Sequence, residues 1–181
     1  MNNTAPNNET EQPMALVTCS YRPDFSRCEV LCASVDQYVD REHHHTIVVP
    51  ERDLPLFRPL QSHRRTIVAV QDILPANFFQ LPGLKKWWLD SGLWPVRGWM
   101  MQQLTKLSAD MLSDSEDILF LDSDIEFIRP FDRSRFNRDN TLRLHRKPGE
   151  GKDGVHLKWH HSAAELLGLT PRYFGSDYVA P

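Results

Sequence analysis

Asp117-Ile-Leu-Phe-Leu-Asp-Ser-Asp-Ile-Glu-Phe-Ile128 is a short, mostly apolar run that ends in two carboxylates. Residues 117–121 read as a buried strand. Side chains alternate faces along a strand, so Asp122 and Asp124 point one way and Ser123 the other. Two acids at the end of a buried strand are costly unless something offsets their repulsion. Hard oxygen ligands in that position suit Mg²⁺ or Mn²⁺, and such ions are usually shared with substrate phosphates. The competing reading is a strand end that carries solvated acids. The apolar lead-in weighs against it, because exposed acids seldom need a buried strand behind them.

Working outward, the pattern is one of alternating strands and helices. Ala15-Leu-Val-Thr-Cys-Ser20 reads as a first strand, followed by the loop Tyr21-Arg-Pro23 and Asp24 as a helix N-cap. Phe25, Cys28, Leu31, Cys32, Val35, Tyr38 and Val39 then recur at helical spacing. Strands are expected again near 46–49 and 66–70, with Pro55 and Pro59 breaking the stretch between them. Residues 72–97 read as irregular. A helix is expected over 98–113, with Met100, Leu104, Leu107 and Met111 on one face. Ile125–Ile128 reads as a further short strand, 132–154 as an exposed loop, and 160–167 as a helix stopped by Gly168.

This order predicts an α/β fold, Rossmann-like, with a mostly parallel sheet flanked by helices. Ligands of such sheets bind beyond the carboxyl ends of the strands. Thr18-Cys-Ser-Tyr21 and Asp122-Ser-Asp124 would both lie at that edge.

The chain of 181 residues is 40% hydrophobic and 25% charged, which suits one globular domain over 15–181. Residues 1–14, with four Asn and two Pro, read as a disordered tail. The start has no basic-then-apolar pattern of a signal peptide, and no run reaches membrane-spanning length. The expected location is therefore the cytoplasm, with peripheral attachment to a membrane open. A net charge of −3 gives no support for a nucleic-acid surface. The three cysteines imply no disulfide framework, and Cys28 and Cys32 read as small core residues on one helix face.

Three pieces together resemble a glycosyltransferase of the GT-A type: Thr18-Cys-Ser-Tyr21, the helix Gly98-Trp-Met-Met-Gln-Gln-Leu-Thr-Lys-Leu107, and Ile118-Leu-Phe-Leu-Asp-Ser-Asp124. The chain is most similar, over roughly 15–181, to a bacterial family with a DUF6492-type domain that is grouped with glycosyltransferases. The resemblance implies a GT-A-like domain that binds a nucleotide-diphosphate sugar and passes the sugar to a glycan or small-molecule acceptor. It implies a divalent metal, Mn²⁺ or Mg²⁺, held by Asp122 and Asp124, with Asp124 the more direct ligand and Asp122 serving the metal or the donor ribose. That ion would stabilise the departing nucleoside diphosphate. Thr18, Ser20 and Tyr21 would meet the nucleoside. The family continues with acceptor-side elements past the point where this sequence stops, so a truncated acceptor half is expected.

Other residues keep two readings. Tyr21 either stacks on the base or is a half-buried loop aromatic. Gln102, Gln103 and Lys106 precede the aspartate strand; Lys106 would neutralise a phosphate, pair with an aspartate, or be solvated, and Arg97 keeps the same readings. Trp99 is read as packing. His43-His-His45 is read as loop, since three consecutive imidazoles cannot all face one ion from a regular element. His156, His160 and His161 are weak candidates for a late metal ligand, and Asp177 for a catalytic base. Two other functions compete: a non-catalytic nucleotide-sugar-binding domain, and a haloacid-dehalogenase-type phosphatase. The second normally opens with its D-x-D strand, whereas about a hundred residues precede this one.

Overall fold

The structure, a computed structural model, describes residues 13–75, 77–80, 87–131, 133–138, 141–143, 145–147, 154–170 and 178–180. The chain divides into two compact units, one up to residue 132 and one from residue 133.

The first unit is an α/β, Rossmann-like layer structure. Strands β1 (Ala15–Cys19), β2 (His44–Val49), β3 (Arg65–Ala69) and β6 (Ile118–Phe120) form a parallel sheet in the order β3-β2-β1-β6. Helix α1 (Phe25–Tyr38) joins β1 to β2, and the short helix α2 (Leu54–Phe57) precedes β3. Helix α3 (Val70–Ile73), the antiparallel pair β4 (Trp87–Leu89) and β5 (Pro95–Arg97), and helix α4 (Gly98–Leu107) lie between β3 and β6. The β6 ladder reaches past the strand at both ends, through Ala15 N–H to Asp117 O at 3.0 Å and Leu121 N–H to Val17 O at 2.9 Å.

Strand alternation sorts the core into two layers. Val17, Val48 and Ile118 face one side and pack with Val70, Ile73, Trp88 and Met101. Leu16 and Leu119 face the other and pack with Leu31, Val35 and Leu121 of the α1 layer. Ile47, Val49 and Phe57 extend that layer around Cys28 and Cys32. Those two cysteines are buried on α1, as their spacing predicts.

Several local expectations need correction. Ile125–Ile128 is not a strand. Its chain lies on α1, where Phe127 N–H donates to Ser34 Oγ at 3.0 Å and Phe127 stacks edge-on against Phe131. Residues 72–97 contain the β4–β5 hairpin, closed by Asp90 Oδ1 accepting from Gly92 N–H and Trp94 N–H at 2.9 Å each. The cue was the Trp-Trp-Leu run followed by Asp-Ser-Gly, a strand and turn hidden by the surrounding prolines. On α4 the buried side chains are Met101 and Thr105, while Leu107 and Met111 are exposed. The helix also stops at Leu107, and Ala109–Leu112 continues as a 3₁₀ turn.

His44 and His45 belong to β2 rather than to a loop. Alternation separates them: His44 reaches Thr66 on one face, and His45 is buried on the other. Arg65 Nε–H donates to His45 Nδ1 at 3.2 Å, so the proton sits on Nε2 and is given to Thr18 Oγ1 at 2.9 Å. Arg65 goes on to Cys32 O and Asp36 Oδ1 on α1. His43 is also buried and accepts from Met14 N–H. The three imidazoles thus serve the sheet, each with a different partner.

The second unit holds β7 (Asn137–Arg138) paired with β8 (Thr141–Leu142), β9 (His145–Lys147) paired with β10 (Tyr178–Ala180), and helix α5 (Gly154–Leu166). Short strands therefore occupy part of the segment expected to be loop. The helix begins earlier than 160, and Gly168 has the positive φ of a helix terminator. Among the described residues, no helix is long and apolar enough to cross a membrane.

Burial, then the Arg65, Arg64 and His44 charges, pull His45 down to about 3 from its ordinary 6.5. The unfolded chain therefore binds a proton that the folded chain refuses, between about pH 6.5 and 3. Stability should be full above 6.5 and fall as pH drops through that window, by at most about 1.4 kcal/mol per pH unit from this group. Urea midpoints at pH 7, 6 and 5 lie above most carboxylate titration. Wild type should lose stability over that range, and His45→Gln should start lower at pH 7 and change less. Equal slopes would remove His45 as the cause.

Candidate functional site

Strand β1 lies between β2 and β6, so the chain reverses its direction of travel across the sheet at the β1–β6 pair. Such a reversal leaves a crevice beyond the carboxyl ends of the strands. A cleft of about 730 Å³ opens there, lined by Cys19, Ser20 and Tyr21 after β1 and by Asp122, Ser123 and Asp124 after β6. Its further walls are Val49, Pro50 and Arg52 after β2, Trp87 and Trp88 of β4, and one face of α4.

Asp122-Ser-Asp124 forms a turn just beyond the strand, closed by Ile125 N–H to Asp122 O at 3.3 Å. The expected strand alternation does not apply in a turn: Ser123 is buried and the two aspartates are exposed, and all three line the cleft. Asp122 Oδ1 accepts from Lys106 Nζ at 3.2 Å, and the same ammonium lies 5.8 Å from the Phe120 ring. Of the readings open for Lys106, pairing with an aspartate is the one observed.

The loop after β1 is tied to the loop after β2. Buried Asp53 accepts from Arg22 N–H at 3.0 Å and Arg22 Nε at 3.3 Å. This clamp holds Tyr21 at the cleft, where it is half-exposed. Ser20 is held by its own N–H to Val48 O at 2.9 Å. Its buried Oγ has the Cys28 thiol as a weak hydrogen-bonding neighbour and no nitrogen or oxygen partner. A thiol is a weak partner, so the hydroxyl keeps hydrogen-bonding capacity beside the cleft.

Two of the candidate residues lie elsewhere. Thr18 is fully buried on the α1 side, spent on His45. Alternation gives its place in the cleft to Cys19. Gln103 also does not line the cleft; on α4 the cleft face runs through Gly98, Met101, Gln102 and Thr105 at helical spacing. Position 103 is rotated a further 100° from 102. Arg97, Trp99, Arg52 and Asp24 line the cleft as well. Trp99, expected to pack, is 62% exposed. Arg97 stacks over the Trp87 ring at 5.5 Å. Trp87, Arg52 and Asp24 were missed by sequence reasoning, because residues brought together from distant segments give no local signal.

Asp177 lies outside the described residues. His156, His160 and His161 fall on α5 of the second unit, with His160 and His161 exposed. Among the described residues no group of three or more His, Cys, Asp or Glu is arranged to hold a metal. The donor set at the turn after β6 is therefore two carboxylates, Asp122 and Asp124, with Asp24 elsewhere on the cleft wall. That set is compatible with a hard divalent ion whose other positions belong to phosphate oxygens and water, and it would not make a closed structural site.

The matched family is described as one of unknown function, DUF6492, and its match covers residues 12–179. The chain belongs to this family. A search of curated proteins found no match. The whole first-unit cleft, from Cys19 to Asp124, lies within the matched span.

Cys19 is the one thiol on the cleft wall. Burial raises it to about 11; Lys106 acts against that rise and Asp122 adds to it. It is a neutral thiol at physiological pH and no ready nucleophile. Alkylation of Cys19 by iodoacetamide, followed by mass spectrometry, should climb through pH 10 without a plateau near 8.5. A plateau at that pH would show an unshifted thiol.

Proposed function

We propose that this protein is a metal-dependent glycosyltransferase that moves a sugar from a nucleotide-diphosphate donor to a glycan or small-molecule acceptor. One observation carries the proposal: Asp122 and Asp124 enter a single cleft beside Ser20 and Tyr21, at the reversal point of a parallel sheet. A dinucleotide-like or diphosphate ligand fits that place by the general rule for such sheets. The resemblance of the same segments to GT-A enzymes supplies the reaction class.

In this reading Asp122 and Asp124 hold Mn²⁺ or Mg²⁺. When bound, the ion offsets negative charge on the departing diphosphate. Tyr21 offers a ring to the base and the Ser20 hydroxyl a hydrogen bond to the nucleoside. Arg97 and Arg52 add positive charge to a cleft that already holds Asp24, Asp122 and Asp124. The apolar faces of Trp87 and Trp99 suit the carbon face of a sugar, as stacking surfaces at the cleft wall.

The test is a thermal-shift screen of UDP, GDP, ADP and CDP with and without Mn²⁺, followed by donor turnover. A ligand at a hundredfold excess over its Kd stabilises by about 2.7 kcal/mol, or about 5–10 °C for a chain of this size. Asp124→Ala should abolish the metal-dependent part of the shift, and Asp122→Ala should reduce it strongly. Release of nucleoside diphosphate from a nucleotide sugar distinguishes an enzyme from a binding domain. Equal shifts in wild type and both variants, or no shift with any nucleotide, would overturn the proposal.

A further inference from the structure

We infer that Lys106 is an internal counter-cation for Asp122, displaced when a divalent ion arrives together with a diphosphate, so that binding of the two is coupled. The inference rests on the reading of Asp122 and Asp124 as metal carboxylates.

Asymmetry between the two aspartates is the starting observation. Asp122 is paired with Lys106 at 3.2 Å, whereas Asp124 makes no ion pair among the described residues. Two carboxylates two residues apart in one turn repel each other, and a nearby ammonium relieves this. The Lys106 side chain is 24% exposed and that of Asp122 is 63% exposed, so the lysine is the more enclosed partner. Phe120 flanks the ammonium and helps to hold it there.

The same pair opposes metal binding. An ion at both aspartates would have a positive charge within a few ångströms of Nζ, and like charges that close repel even in water-like surroundings. Lys106 holds Oδ1, so an ion taken at both aspartates sets its charge against that ammonium and favours its departure. A lysine is suited to moving: its charge sits on a flexible four-carbon stem. Lys106 follows the cleft-lining Thr105 on α4 and reaches the cleft's Asp122 through its side chain. A diphosphate in the cleft gives it a new anionic partner. The metal alone then binds weakly, the diphosphate alone binds weakly, and each strengthens the other by the same factor.

The experiment measures Mn²⁺ binding by the loss of the free-ion electron paramagnetic resonance signal, with no nucleotide present. Lys106→Met keeps the apolar stem and removes the charge; Lys106→Arg keeps the charge. Circular dichroism checks folding, and Lys106→Gln replaces the Met variant if the latter is unfolded. Lys106→Met is expected to bind Mn²⁺ about three- to tenfold more tightly than wild type, with Lys106→Arg no tighter than wild type. Inorganic pyrophosphate should then strengthen Mn²⁺ binding less in Lys106→Met than in wild type. Unchanged or weaker Mn²⁺ binding in Lys106→Met, with Asp124→Ala still abolishing it, would overturn this inference and leave the proposed function standing. Absence of Mn²⁺ binding in wild type and variants, with or without pyrophosphate, would overturn both.

Discussion

Hydrogen bonding of β1 along both of its edges is the constraint on which the first unit depends. Its register with β2 and with β6 is parallel on each side, so β1 cannot slip without breaking two ladders. That locks the direction of every side chain from Ala15 to Cys19. Odd-numbered positions pack under α4 and the hairpin, and even-numbered ones pack under α1. The partition carries across the sheet. It sends Val48 and Ile118 with Val17, and sends Ile47 and His45 to the α1 layer.

A buried polar chain crosses that α1 layer from Thr18 through His45 and Arg65 to Asp36. Burying a guanidinium and an imidazole is costly unless each donor and acceptor is matched. Here the match depends on one tautomer, with Nδ1 accepting from Arg65 and Nε2 donating to Thr18. A second proton on the ring would abolish one bond and set two cations face to face. Arg65 also binds the carbonyls of Leu60 and Cys32, so the network fastens α1 to β3 as well as filling space.

The other side of the sheet leaves a cleft rather than a closed core, because β4 supplies two tryptophans with opposite fates. Trp88 is buried with Met101 and Val17, and Trp87 turns to the cleft with Arg97 over its ring. Both border the cleft, Trp88 from the core side and Trp87 from the exposed rim. The Arg22–Asp53 clamp fixes the opposite rim. Between them lie the two carboxylates of the turn after β6, with Lys106 of α4 paired to Asp122.

The strands, the first helix and the pair of acids were legible in the sequence because each depends on local pattern. Apolar runs marked β1, β2, β3 and β6, helical spacing marked α1, and D-x-D at a strand end marked Asp122 and Asp124. What sequence could not decide was which face of each element meets which neighbour. Thr18 and Cys19 are adjacent and both plausible at a strand end, yet only the sheet's layering assigns Cys19 to the cleft and Thr18 to His45. Gln102 and Gln103 pose the same ambiguity on α4, where packing of Met101 and Thr105 sets the helix rotation. Pairing of Lys106 with Asp122 joins segments sixteen residues apart whose approach depends on how α4 packs on the sheet, whereas Arg97 meets Trp87 through the register of the β4–β5 hairpin. Local physics wrote the elements; long-range packing chose their faces, and the site is made of faces.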